Sequence, residues 1–125
     1  MFNFTIPLAP ISKKNSQQIL INKATGRPFI MPSKKYKEYE KAAARYIPKL
    51  RQPKPIDYPV CVKCLFYMPT RRKCDLTNLL EAIDDVMVKT GLLADDDYTI
   101  IESHDGSRVL YDKQSPRTEV FITTI

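Results

Sequence analysis

Residues 60–97 read VCVKCLFYMPTRRKCDLTNLLEAIDDVMVKTGLLADDD, and a change of period inside this stretch decides the fold. The run Val60–Met68, rich in Val, Leu, Phe and Tyr, suits a strand. From Leu76 onward the spacing becomes helical: Leu76, Leu79, Leu80, Ile83, Val86 and Met87 fall on one face at about 100° per residue. A helix is therefore expected from Leu76 to about Thr90, with its apolar face packed on a sheet. Gly91 follows where a helix C-terminus needs a left-handed residue.

The rest of the chain fits around this pair. Phe2, Phe4 and Ile6 alternate with Asn3 and Thr5, as in a short strand. A polar loop, Pro10-Ile-Ser-Lys-Lys-Asn15, comes next. Residues 18–21 and 28–31 flank Ala24-Thr25-Gly26 and read as a hairpin with a turn longer than two residues. Ser33 is placed to cap a helix running to about Ile47. Pro48, Pro53, Pro55 and Pro59 make the next segment a connector, because proline interrupts helix and sheet alike. One or two strands are expected between Tyr98 and Tyr111, and a last one over residues 118–125. The expected fold is α/β of the α+β kind: a mixed β-sheet packed with two main helices, in one small domain spanning residues 1–125.

A chain of 125 residues, 43% hydrophobic, can bury a core without staples. No run approaches the roughly 20 apolar residues of a membrane span, and the N-terminus lacks the form of a signal peptide. A soluble, cytoplasmic protein with no membrane partner is expected. Cys61, Cys64 and Cys74 are an odd count, against a disulfide framework. Cys61 and Cys64 have C-x-x-C spacing, but in a strand residues three apart point to opposite faces. With no second cysteine pair and His104 the sole histidine, the four ligands of a structural zinc site are not in view.

The net charge of +6 conceals an asymmetry. Residues 1–74 carry 16 Lys or Arg against Glu38, Glu40 and Asp57; residues 75–125 carry 4 against 11 acidic side chains. A phosphate-binding surface beside an acidic metal site would have this look, and so would unrelated solvated faces. Within the first helix, Tyr36, Tyr39, Ala43, Tyr46 and Ile47 share one face. Lys34, Lys37, Lys41 and Arg45 line the opposite one, with Glu38 at its edge. This stripe reads either as a phosphate-tracking ridge or as an ordinary wet face.

The chemistry gathers in the second half. Asp75 stands just before the first turn of the second helix, where its plain role would be an N-cap. Past Gly91, Leu92-Leu93-Ala94 runs into Asp95-Asp96-Asp97. Adjacent like charges repel, and a hard cation relieves that repulsion. Magnesium is commonly held by one or two carboxylates together with water and substrate phosphate. With Arg71-Arg72-Lys73 upstream as phosphate grips, the arrangement suggests metal-assisted phosphodiester chemistry. The bland alternative is a solvated acidic turn.

The run Arg71-Arg72-Lys73-Cys74-Asp75-Leu76-Thr77-Asn78-Leu79, the spacing to Gly91, and Leu93-Ala94-Asp95-Asp96 resemble the RusA family of Holliday junction resolvases. The opening strand and the loop bearing Lys13, Lys14 and Asn15 look similar as well. The family is often carried by bacteriophages and prophages. The resemblance covers most of the chain. It implies a mixed α/β fold, a homodimer, magnesium dependence with manganese as the alternative ion, and paired incisions in four-way DNA junctions. Asp75 matches the family's first catalytic aspartate, Asp96 its later metal-binding aspartate with Asp95 beside it, and Asn78 the motif asparagine. The basic residues Lys13, Lys14, Lys34, Lys37, Lys41, Arg45, Arg71, Arg72 and Lys73, with Asn15 and Asn78, are then the expected DNA contacts. Two positions depart from the family motif: Thr77 replaces its second aspartate, and Glu81 replaces a lysine on the next turn. Thr77 and Glu81 share a helix face at i, i+4, so Glu81 is expected to supply the missing carboxylate as catalytic and metal ligand. Two other readings stand beside resolution: a protein that holds branched DNA without cutting it, and a nuclease for flaps, forks or RNA.

Overall fold

A computed structural model of the chain describes residues 2–12, 17–49 and 54–125. Strand β1 (Phe2–Ile6) is followed by a hairpin of β2 (Gln17–Ile21) and β3 (Pro28–Pro32) and by helix α1 (Lys34–Ala43). Then come β4 (Val60–Met68), α2 (Leu76–Lys89), β5 (Ile101–Ser103), β6 (Arg108–Tyr111) and β7 (Arg117–Thr124). The expected α+β class with a mixed sheet and two helices is what forms. The loop residues Lys13, Lys14 and Asn15 lie outside the described residues.

Strand β4 is the spine of the main sheet. It pairs antiparallel with β7 over eight register positions, and β7 pairs antiparallel with β1. On its other edge β4 runs parallel to β5 at its start and to β6 at its end. A parallel neighbour requires a long crossover, and α2 supplies it between β4 and β5. Val60, Val62, Cys64 and Phe66 of β4 are buried, as are Thr118, Val120 and Ile122 of β7, while the residues between them are half-buried. Tyr36, Tyr39 and Ala43 of α1 join Leu79, Leu80, Ile83, Val86 and Met87 of α2 and these strand residues in one core. Both helices therefore cover the same face of the sheet. Each large apolar side chain so buried contributes about 1.5–3 kcal/mol. A Lys89 ammonium 3.1 Å from Glu40 and 3.2 Å from Asp85 ties the two helices together at the surface. The opposite face of the sheet is covered by long side chains instead, with Lys63 over the Phe121 ring and Arg117 over that of Tyr67. As the alternation requires, Cys61 and Cys64 face opposite sides, and both are free thiols.

The helix ends follow the sequence signals, with one correction. The Ser33 hydroxyl accepts the Tyr36 N–H at 3.1 Å and caps α1. The α-helix stops at Ala43, however, and residues Ala44–Tyr46 form a 3-10 turn. Its step of about 120° per residue replaces 100°, so Tyr46 leaves the buried face and is 45% exposed, while Ile47 stays inside. Gly91 ends α2 with φ +83°, and the Leu92 N–H returns to Met87 O at 3.0 Å. The chain emerging from α2 is held by Ile56, whose N–H donates to Leu92 O while its carbonyl accepts from Ala94 N–H, both at 2.9 Å. The proline-rich connector thus anchors the segment that leads into the three aspartates.

Between β5 and β6 the parallel edge is interrupted by His104-Asp105-Gly106-Ser107. Backbone groups of β4 left without strand partners there are taken up by side chains. The Cys64 N–H donates to Ser107 Oγ at 2.9 Å, and the Val62 carbonyl faces His104 Nδ1 at 2.7 Å. The interruption closes with Ser107 N–H on His104 O at 3.0 Å, and Gly106 adopts φ +87° to allow it. A Cβ on Gly106 would lie 2.8 Å from Lys63 Cδ, a flexible neighbour that can move, so backbone strain dominates the cost. Gly106→Ala is expected to destabilise the protein by about 1–2 kcal/mol, the usual cost of a left-handed non-glycine residue. A melting temperature unchanged from wild type would contradict this.

Candidate active site

An open cleft of about 340 Å³ lies where α2 meets the turn after Ala94 and the β5–β6 interruption. Thr77, Leu80, Glu81, Asp84, Asp96 and His104 line it. The helix explains the first four: residues 77, 81 and 84 fall within about 60° of one another on a wheel of 100° per residue. That face adjoins the apolar stripe of Leu80 and Ile83, so it meets solvent at the core's edge rather than on the helix's outer side. Asp96 arrives from the turn that Ile56 anchors, and His104 from the interrupted sheet edge.

The three consecutive aspartates have different local roles. Asp97 turns its carboxylate back on its own loop, accepting Thr99 N–H at 2.8 Å and the Thr99 hydroxyl, which hold it below the usual carboxylate range. Asp95 accepts the Asp96 N–H at 2.7 Å. Asp96 alone of the triplet reaches the cleft, and its carboxyl is pushed up, first by partial desolvation and then by Asp95 beside it. Asp75 occupies the N-cap position of α2 with extended backbone, yet its side chain makes no capping bond, so the plain N-cap role is not the one it plays. It stands two residues before Thr77 and is not among the cleft-lining residues.

Two residues that sequence reasoning did not single out sit at the back of the cleft. Asp84 is 7% exposed, and its Oδ2 lies 2.8 Å from His104 Nε2. Burial pushes the Asp84 carboxyl up against the pull of His104, and the Asp96 charge adds to the rise. Burial alone would push His104 down, but Asp84 on one nitrogen and the Val62 carbonyl on the other outweigh it and hold the imidazole above its ordinary value. Asp84 was legible in principle, because it continues the Thr77–Glu81 face at i+7 from Thr77. Its pairing with His104 was not, since 20 residues separate them.

Carboxylate oxygens suit a hard cation. Glu81, Asp84 and Asp96 share one cleft; desolvation first, and like charge after it, disfavours the ionised form of Asp84 and Asp96, and a divalent ion would offset both. Among the described residues no three His, Cys, Asp or Glu side chains form a ready-made cage. An ion of the magnesium kind, which keeps several waters and takes substrate phosphate as ligand, fits such a donor set.

Basic side chains are set apart from these acids in sequence and are exposed. Lys34, Lys37, Lys41 and Arg45 all face solvent, with Glu38 pairing Lys34 at 4.0 Å. Arg71, Arg72 and Lys73 are exposed on the loop that leads into α2. Arg71 stacks 4.2 Å over the Tyr111 ring, beside a second open cleft of about 330 Å³ that Arg72 also lines. Asn78 is half-buried on the first turn of α2.

Comparison with known proteins bears on this arrangement. A family model described as Endodeoxyribonuclease RusA matches residues 7–123. The Crossover junction endodeoxyribonuclease RusA of Aquifex aeolicus (strain VF5) is 41% identical over 49 residues, which make up 39% of this chain and 38% of that protein. The match thus spans well under half of the relative's length. Among the described residues, no helix is long and apolar enough to cross a membrane.

Proposed function

This chain belongs to the RusA family of endodeoxyribonucleases, and from that membership we propose that it is a metal-dependent endonuclease resolving Holliday junctions or closely related branched DNA. The observation that carries the reading is the acidic cleft itself, where Glu81, Asp84 and Asp96 converge from a helix and a pinned turn. When bound, magnesium or manganese supplies polarisation of the scissile phosphate and activation of water. Asp96 and Glu81 would hold the ion, with Asp95 adding charge beside Asp96 and Asp75 contributing from the N-terminus of α2. Arg71, Arg72 and Lys73, on the loop that leads into α2, would grip phosphates. Lys34, Lys37, Lys41 and Arg45 would add further phosphate contacts from α1 and the 3-10 turn that follows it, and Asn78 would contact DNA from the first turn of α2. The test is incubation with a synthetic four-way junction, with and without Mg²⁺, alongside flap, fork and RNA substrates. Symmetric nicks that require the metal support the reading; binding without scission at any metal concentration would leave a junction-holding protein instead.

Paired incision calls for two active sites, so the working species is proposed to be a homodimer matched to the two-fold symmetry a junction can adopt. An exposed apolar surface supports this: Ile19, Ile21 and Ile30 on the β2–β3 hairpin are each more than 60% exposed, and such patches commonly mark association sites. Junction binding is expected to weaken steeply with salt, with a slope of about −0.9 per phosphate contact in log K against log salt. Light scattering that finds a monomer both on and off DNA would remove the paired-cut mechanism.

A further inference from the structure

The proposed nuclease reading counts Asp84 among the cleft's acids but gives neither it nor His104, at the back of the cleft, a role. Both nitrogens of His104 are committed: Nδ1 lies 2.7 Å from the Val62 carbonyl and Nε2 lies 2.8 Å from Asp84 Oδ2. A carbonyl oxygen only accepts, so Nδ1 carries a proton and the ring is fixed in plane and direction. The carbonyl belongs to the central strand, which cannot shift without the sheet. Asp84 is therefore tied through one oxygen, by way of His104, to a strand paired on both edges. Its side chain is 10% exposed, and its other oxygen, Oδ1, is buried with no hydrogen-bond partner among the described residues.

Buried polar oxygens are ordinarily satisfied, and a structural aspartate serving only His104 would find its second oxygen a donor as well. The cleft around Asp84 offers none within reach: Glu81 and Asp96 are acids, both His104 nitrogens are taken, and the Thr77 hydroxyl, two helical turns away and about 10 Å along the axis, makes no bond to Oδ1. Three carboxylates facing one small cleft repel each other, and a cation is the ligand that satisfies the orphaned oxygen and relieves that repulsion together. Carboxylate ligands that are themselves hydrogen-bonded from behind are the rule in metal sites, and losing such support commonly costs 10- to 100-fold in metal affinity.

We infer that Asp84 is a further carboxylate of the metal site, presented to the ion through Oδ1, and that His104 is the residue that positions it. The inference rests on the nuclease reading for the identity of the site, and the experiment separates the two. Free Mn²⁺ is followed by electron paramagnetic resonance as it is titrated into wild-type protein, Asp84→Asn and His104→Gln, without DNA. Asp84→Asn keeps the size of the side chain and is expected to weaken Mn²⁺ binding by tenfold or more. His104→Gln removes the double anchorage and is expected to weaken it to a lesser degree. The rise in melting temperature that Mn²⁺ gives the wild type is read on the same samples, and is expected to shrink in the same order. A merely structural role for the pair would lower the melting temperature without metal and leave the Mn²⁺ affinity of the folded variants at the wild-type value, which overturns the proposal. Should Asp84→Asn not fold, His104→Gln decides on the same criterion. Wild-type protein that binds Mn²⁺ and cuts a junction, with both variants binding Mn²⁺ normally, sinks this inference alone. Wild-type protein that does neither sinks the nuclease reading along with it.

Discussion

Asp96→Asn is expected to abolish junction cleavage while leaving junction binding within a few-fold of wild type. Asp96 is the one member of its triplet whose side chain reaches the cleft, and the turn that carries it is pinned by two backbone hydrogen bonds from Ile56. The amide keeps the shape and cannot hold a divalent ion as a carboxylate does. A metal's stabilisation of transition-state charge amounts to several kcal/mol, so the rate should fall by about a thousandfold or more, since 1.36 kcal/mol is tenfold. Binding depends on the exposed Lys and Arg side chains rather than on the acids. Removing one negative charge next to a phosphate should, if anything, tighten it. Asp75→Asn is expected to behave alike, because its side chain makes no capping bond whose loss would unfold α2. Cleavage and gel-shift assays on the same preparations check both variants. Cleavage within tenfold of wild type in either one would remove that residue from the site.

What the sequence disclosed depended on the range over which its signals act. Strand β4 and helix α2 announced themselves because their apolar periods are local and long, and Gly91 and Ser33 marked helix ends through short-range backbone chemistry. Helix α1 was read about four residues too long as an α-helix, because the tightening to a 3-10 turn at Ala44 leaves no mark in the spacing of Tyr46 and Ile47. From residue types alone the acidic triplet was visible as three equivalent charges, and only the family resemblance pointed to Asp96 with Asp95 beside it. Which of them faces the cleft depends on Thr99 capturing Asp97 and on Ile56 holding Leu92 and Ala94 in place. His104 was legible only as an isolated histidine. Its place beside Asp84 follows from the break between β5 and β6, where β4 needs side-chain partners for Val62 O and Cys64 N–H. That requirement arises only when the sheet is assembled.

The departure at Thr77 leads to the second large effect. Glu81→Gln is expected to cut cleavage sharply at limiting Mg²⁺ and to raise the Mg²⁺ concentration needed for activity. Thr77 and Glu81 line the same cleft, about 40° apart on the helix and one turn along it. The substitution preserves length and helix propensity, and the site is exposed, so stability should change by no more than about 0.5 kcal/mol. If Glu81 supplies the carboxylate that position 77 lacks, adding Thr77→Asp to Glu81→Gln returns a carboxylate to the same face and should restore part of the activity. The same addition should do much less for Asp84→Asn, because seven residues at 1.5 Å each place Asp84 about 10 Å along the helix from position 77, and His104 would have no carboxylate to orient. Rescue of one variant and not the other would show that the two acids serve the ion from different places. Full activity of Glu81→Gln at limiting Mg²⁺ would mean that Glu81 is only an exposed glutamate on the cleft rim.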